Sequence, residues 1–165
     1  TATLTFAWLV QPYFFAIKLP VEMYGIFWTA LNLTAGVSSV FAHRVEVFFG
    51  KTWSIFAIIL LIALGYFLSG IAISAWGMAF LFLFYLMRGI ATPILKNYIN
   101  QYTESDIRAT ILSVRDFIIR IIFAAIGPLL GWITDNINLK SAFLLAGGIY
   151  LVSALIVVLP WIRRR

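Results

Sequence analysis

Runs of roughly 20 mostly apolar residues, separated by short polar turns, recur six times along the chain, which is the length that a transmembrane helix needs. The runs cover about residues 2–17, 23–42, 53–70, 74–95, 112–134 and 141–160. Only 11% of the residues are charged and 63% are hydrophobic, whereas a soluble domain carries about 25% charged residues. These values exclude a soluble globular domain and a disordered chain, and the lack of cysteine excludes a disulfide scaffold. We predict an all-α integral membrane protein with six transmembrane helices in one domain, residues 1–165.

The first apolar run begins at Thr1 without a methionine, a charged flank or a signal-peptide region. We therefore expect the first helix to be truncated and further chain to precede it. Whether Arg165 is the natural end is left open.

Lysine and arginine are distributed unequally between the two sets of turns, which predicts the orientation. An excess of these residues marks the cytoplasmic side, so the turns after the second and fourth runs, and the C-terminus, are predicted to be cytoplasmic. The protein would then be a multi-pass protein of the cytoplasmic membrane. The cytoplasmic set comprises Arg44, Lys51, Lys96, Arg108, Arg115, Arg163, Arg164 and Arg165, and the opposite set comprises Lys18 and Lys140.

Polar side chains are confined to four of the six runs, and their order suggests an internal repeat. The third and sixth runs are nearly pure hydrocarbon, which favours a peripheral position because a buried polar group is costly in lipid. The order polar, polar, apolar therefore occurs twice. Either this order is chance, or the chain contains two three-helix repeats, as secondary transporters do. The polar residues within the four runs are Gln11, Asn32, Arg88, Asp116 and Arg120.

Several of these residues share helix faces with aromatic residues three or four positions away. We interpret one set as candidates for lining a substrate cavity, although plain helix packing also explains aromatic stripes. The candidates are Trp8, Gln11, Trp28, Asn32, Tyr85 and Arg88. Arg88 is the most informative of them, since a charge at bilayer depth normally faces a bundle interior or water. The alternative is a structural arginine that reaches the headgroups of the inner leaflet.

A second set of candidates forms a predicted charge network at a cytoplasmic gate. Asp116 matches Arg88 in depth, but Arg115 and Arg120 compete for it, and we favour a gate role for Asp116 with one of these two. The set comprises Arg44, Lys51, Arg108, Arg115, Asp116 and Arg120. Kinks or close helix packing are predicted from proline and small residues, at Pro93, Gly127, Pro128 and Gly131.

Three segments resemble the major facilitator superfamily, specifically its C-terminal six-helix half. They are AHRVEVFFGK (42–51), RGIATPILKNYINQYTESDIRATILSVRDF (88–117) and IGPLLGWITD (126–135). The resemblance implies that the six runs are helices seven to twelve of a twelve-helix fold, with the ninth and twelfth peripheral. It also implies that Gln11 and Arg88 line a central cavity, and that a missing N-terminal six-helix half completes the protein. Two halves would then alternate access to a midplane site for a small solute.

Other classes of function find little support in the residues. The one histidine, His43, lies in a turn, there is no cysteine, the acidic residues are scattered and there is no Gly-rich phosphate loop. We therefore expect no enzyme, no metal or other cofactor, and no nucleic-acid partner; the lipid bilayer accounts for the net charge of +6. The rival interpretation is a complete six-helix protein that associates with itself as a channel or scaffold. Proton-coupled transport usually needs a carboxylate or a histidine in the pathway, and no carboxylate lies at the middle of a predicted span. Either the carboxylates that couple proton movement to transport lie in the other half, or transport follows the substrate gradient alone.

Overall fold

Seven helices make up the described part of the chain, which contains no strand. The computed structural model describes residues 1–163, with the exception of the side chains of residues 51–52 and 157–163. A backbone in lipid must satisfy its hydrogen bonds internally, and the helix achieves this within one segment. The predicted all-α class is therefore confirmed. The helices are α1 (Ala2–Ala16), α2 (Val21–Val40), α3 (Ala42–Phe49), α4 (Lys51–Ile71), α5 (Met78–Gln101), α6 (Ser105–Asn136) and α7 (Leu139–Arg163).

Four of the described helices, α4 to α7, are each long and apolar enough to cross a membrane. Helices α2 and α3 meet the same criterion only as a pair, bent by 51°, which raises the number to five. Helix α1 has 15 residues, or about 22 Å at 1.5 Å per residue, which is less than the ~30 Å of the hydrocarbon layer. The described helices are thus those of a multi-pass membrane protein with four or five spans by length and composition, against six expected.

Helix α3 lies where the sequence analysis placed only a turn. It is amphipathic: Ala42 and Glu46, one turn apart, are buried, whereas Phe48 is 82% exposed. Gly50 ends it with a φ of +74°, a backbone conformation that favours glycine, and α4 begins at the next residue. A helix of eight residues is too short for its apolar periodicity to be distinguished from a turn.

An aromatic cluster holds α1, α4, α5 and α7 together. The ring of Phe6 stacks on Phe84 with a centroid separation of 3.5 Å and lies edge-on to Tyr66 at 5.0 Å and to Phe143 at 5.5 Å. All four rings are inaccessible to solvent. Each of the four rings comes from a different helix, so the cluster fixes the position of α1 relative to α4, α5 and α7. The ring contacts hold α1 in place even though the helix is shorter than the hydrocarbon layer is thick.

Burial does not follow the polarity of the helices. The apolar helices α4 and α7, expected at the periphery, pack against each other and contribute many core residues. The least buried helices are α2 and α6: 11% of the apolar window of α6 is buried, compared with 39% in α4. Lipid tails are as apolar as leucine, so an apolar composition does not distinguish a lipid-facing surface from a helix-facing one.

Helices α2 and α5 approach closely at Gly89. A Cβ atom at this position would collide with the hydroxyl of Ser38 and the carbonyl oxygen of Ala35 on α2. Glycine therefore permits a backbone approach that no other residue allows. The preceding residue, Arg88, is held beside α2 as a consequence.

Candidate functional site

A cavity of about 360 Å³, open to the surface, lies between α1, α2 and α5. Five of the six predicted cavity candidates line it, on the consecutive helices α1 and α2 and on α5, which is distant from both in sequence. A second cavity, of about 280 Å³, shares Gln11 and Trp28 with it. The first cavity is lined by Leu4, Ala7, Trp8, Gln11, Trp28, Asn32 and Arg88.

Helical spacing explains why these side chains meet. On α1, the lining residues follow one another at intervals of three, one and three positions, which keeps them on one face. On α2, Trp28 and Asn32 are separated by one turn. The third wall is a single residue, Arg88 of α5. The helices α4 and α7 contribute no lining residue within the described part of the chain.

The sixth candidate, Tyr85, supports the cavity instead of lining it. Its side chain is fully buried, and the guanidinium carbon of Arg88 lies 5.1 Å from the centre of its ring. This separation is within the range of a cation–π interaction. The Tyr85 hydroxyl is buried without a hydrogen-bond partner among the described residues. The spacing of three places both residues on one side of α5, but positions three apart still differ by about 60° around a helix. Tyr85 therefore points into the core and Arg88 into the cavity.

The cavity carries a positive charge that its lining does not neutralise. No acidic side chain lines it, and the single ion pair among the described residues joins Arg115 and Asp116 elsewhere, at 2.7 Å. A charge at the centre of a bilayer costs about 2.5–3.5 kcal/mol on insertion scales. The remaining polar groups are amides: the Nδ2 atom of Asn32 donates to the Trp28 carbonyl at 2.9 Å, and Gln11 is exposed.

The structure does not join the predicted gate residues into one network. Asp116 pairs with its neighbour Arg115, and not with Arg88 or Arg120. Arg44 and Arg120 are exposed, and Arg108 donates to the carbonyl oxygen of Thr103 at 3.3 Å. The side chain of Lys51, and Arg164 and Arg165, lie outside the described residues. The Arg115–Asp116 pair is itself largely exposed, so it contributes little to stability.

A buried carboxylate that the sequence analysis did not select holds α3 against α5. Glu46 is 9% exposed, and the Nδ2 atom of Asn97 lies 3.5 Å from its Oε2 atom. Tyr98 interacts with the same carboxylate. The sequence feature that could have indicated this contact is an acidic residue one helical turn after an alanine, in an otherwise basic and aromatic segment. This feature is only weak evidence for an amphipathic helix.

We expect Glu46→Ala to lower the free energy of unfolding of the full-length protein by about 1 kcal/mol, because it removes one partner of a buried polar contact. Thermal unfolding in detergent, monitored by circular dichroism, measures this change. The matched control is Glu22→Ala, which removes an exposed carboxylate from the first turn of α2. Equal unfolding temperatures for the two variants would contradict a structural role for Glu46.

The predicted packing seam of small residues on α6 is an open groove. A Cβ atom at Gly131 would meet nothing within 4 Å, and the three atoms nearest to one at Gly127 all belong to the ring of Phe123, at 3.3 Å or more. Both glycines line a groove of about 540 Å³ between α1 and α6. The bulk of Trp8 against Phe123, with centroids 5.6 Å apart, separates the two helices here. Pro93 and Pro128 are accommodated inside α5 and α6, which continue through them.

Comparisons of the chain with models of protein families, with curated proteins and with solved structures found no match. Among the described residues, no group of three or more histidine, aspartate or glutamate side chains could hold a metal ion. The function is therefore argued from the geometry of the cavity and the packing of the helices.

Proposed function

We propose that the chain is the C-terminal six-helix half of a major facilitator superfamily transporter, which moves a small solute across the cytoplasmic membrane by alternating access. The observation that carries the proposal is the convergence of Arg88, Gln11 and Asn32, from three helices, on one open cavity. Polar groups at bilayer depth are costly, and a water-filled solute pathway is the environment that accommodates them.

The packing of the helices supports two three-helix repeats, with α1, α2 and α4 in the first and α5, α6 and α7 in the second. If the repeats are related by a two-fold axis, each contact between helices is expected to have a counterpart. Three kinds of contact meet this expectation: α2 packs on α5 as α6 packs on α1, α4 packs on α5 as α7 packs on α1, and α4 and α7 pack on each other. Within the described part of the chain, the contacts of α6 with α7 and of α1 with α4 have no comparable counterparts between α2 and α4 or between α5 and α7, so the symmetry is only partial. Nested repeats of this kind occur in the halves of such transporters. In this interpretation α1, α2 with α3, and α4 to α7 are the six spans.

Two exposed apolar surfaces support the missing half. Helices α2 and α6 each bury only two described residues. Both carry large apolar side chains that are more than half exposed, such as Ile26 on α2 and Phe117 on α6. Such surfaces suit lipid as well as another set of helices, and the proposed transporter assigns them to the N-terminal half. The orientation, with the C-terminus in the cytoplasm, follows from the distribution of lysine and arginine.

We expect a single cysteine in place of Gln11 to react with a water-soluble thiol reagent in the full-length protein, reconstituted in vesicles with other cysteines removed. Gln11 is exposed to the cavity, so the reaction is expected from one side of the membrane at a time. The matched control is Leu31→Cys, on the neighbouring helix, because Leu31 is fully buried and its replacement is expected to stay unmodified.

The outcome separates the transporter from its rival. A continuous leak of inorganic ions through the reconstituted vesicles indicates a self-associating six-helix channel, because an alternating transporter is never open to both sides at once. Failure of the Gln11→Cys variant to react from either side would show that the cavity is dry and would overturn the proposal. The size of the native gene product gives an independent check: roughly 400 residues, enough for twelve spans and their loops, supports the transporter.

A further inference from the structure

The charge of Arg88 has no compensation within the described cavity. Its lining comprises four apolar or aromatic residues, two amides and one guanidinium group. The carboxylate of Asp116, the one acidic group inside an apolar run, pairs with Arg115. Since an uncompensated cation at bilayer depth is expensive, a favourable negative charge is expected to bind there during the transport cycle.

We propose that the cavity selects a small organic anion with an aromatic or otherwise apolar body. This inference rests on the proposed transport function and names its substrate class. The planar guanidinium group of Arg88 matches a carboxylate or phosphate with two parallel hydrogen bonds. The indole rings of Trp8 and Trp28, 63% and 40% exposed, supply apolar surface for the body of the ligand.

The neighbours of these groups hold them in position before a ligand arrives. The buried ring of Tyr85 lies under the guanidinium carbon of Arg88 at 5.1 Å, which restricts the directions that the side chain explores. The Asn32 amide is fixed by its bond to the Trp28 carbonyl, which leaves its Oδ1 atom as an acceptor for a ligand hydroxyl or amine. Such preorganisation lowers the entropy cost of binding. The cavity volume of about 360 Å³ lies within the range of about 300–1,000 Å³ that is typical of small-molecule sites.

The competing explanation is that a carboxylate from the N-terminal half neutralises Arg88. In that case the cavity is electrically neutral in the whole protein and shows no preference for anions. A measurement of the local potential separates the two explanations without knowledge of the natural substrate.

The experiment uses the Gln11→Cys variant of the full-length protein and two methanethiosulfonate reagents of similar size. One carries a sulfonate group and the other a trimethylammonium group, and each rate is divided by its rate with a free thiol in water. We expect a relative rate about tenfold higher for the anionic reagent, since local charge concentrates counter-ions by at least this factor. The additional replacement Arg88→Gln is expected to abolish this preference. The matched control is Lys140→Gln, which removes the same charge from an exposed residue at the start of α7 and is expected to leave the preference unchanged.

Each outcome bears on one hypothesis. A rate ratio near or below one, or a ratio that Arg88→Gln does not change, overturns the anion assignment and leaves the transporter intact. Reaction with neither reagent contradicts the wet cavity and therefore the proposed function itself. A preference that depends on Arg88 supports the assignment.

Protection experiments then test the apolar body of the ligand. The probes are 2-naphthoate, 2-naphthylmethanol and 2-naphthylmethylammonium, which share one ring system and differ in charge. We expect 2-naphthoate to slow the reaction of Gln11→Cys with a neutral thiol reagent at a concentration about tenfold lower than that needed by the other two. Protection by the alcohol or the ammonium compound at an equal or lower concentration, or no protection by 2-naphthoate, overturns the substrate class.

Discussion

Replacement of Arg88 by alanine is expected to reduce transport by the full-length protein by about 100-fold, while the protein still reaches the membrane. The loss of a charged partner from a desolvated hydrogen bond accounts for a change of this size. The measurement is the initial rate of uptake or efflux of a solute identified by a transport screen, divided by the amount of protein in the membrane. Arg88→Lys is expected to retain part of the rate, because lysine keeps the charge but loses the planar, two-pronged geometry.

The control for this prediction is Lys140→Ala, which removes an exposed positive charge at the start of α7 and is expected to transport normally. A normal rate for Arg88→Ala at a normal membrane level would remove Arg88 from the solute pathway. In that case Arg88 acts as a structural residue that stacks on Tyr85.

The replacement Gly89→Ala is expected to destabilise the protein strongly, even though alanine is the better helix former. A Cβ atom at this position has no room, because the backbone carbonyl of Ala35 and the hydroxyl of Ser38 occupy its place. Overpacking of this kind costs about 1–3 kcal/mol, which lowers the unfolding midpoint of a protein of roughly 400 residues by about 1–4 °C. Thermal unfolding of the purified full-length protein measures the shift.

The matched control is Gly148→Ala, on α7, which lies outside the surfaces assigned to the N-terminal half. A Cβ atom at Gly148 would meet nothing within 4 Å, so the gain in helix propensity, up to about 1 kcal/mol, is not offset. We expect an unchanged or slightly higher unfolding midpoint. Equal shifts for the two variants would mean that α2 and α5 do not meet closely at Gly89.

Most of the cavity lining could be predicted from the sequence, because regular helices convert sequence spacing into faces. Gln11 and Asn32 are polar residues within apolar runs and have neighbouring tryptophans at helical spacing. The structure places both on one cavity with Arg88. Periodicity defines a face of a helix, but not which other helix that face meets.

The predictions that differ from the structure fail because sequence periodicity does not show which helix a given face meets. Tyr85 shares a helical face with Arg88, yet one is buried in the core and the other lines the cavity. The glycines of α6 suggested a seam, but the ring pair of Trp8 and Phe123 keeps α1 away from them. Helix α3, and the burial of Glu46 against Asn97, depend on the bend after α2, which has no signature in the apolar pattern.

Composition and spacing alone determine that this chain is helical, that several helices are long and apolar enough to cross a membrane, and that a small set of polar side chains lies within apolar runs. The physical basis of these features is local, because a backbone in lipid satisfies its hydrogen bonds within a helix. The meeting of Trp8, Asn32 and Arg88 around one cavity depends instead on the packing of α5 against α1 and α2, which are distant from it in sequence. That packing is governed by ring stacking at Phe6 and by the missing side chain at Gly89, since the shapes of these contacts, and not their hydrophobicity, determine which helices approach.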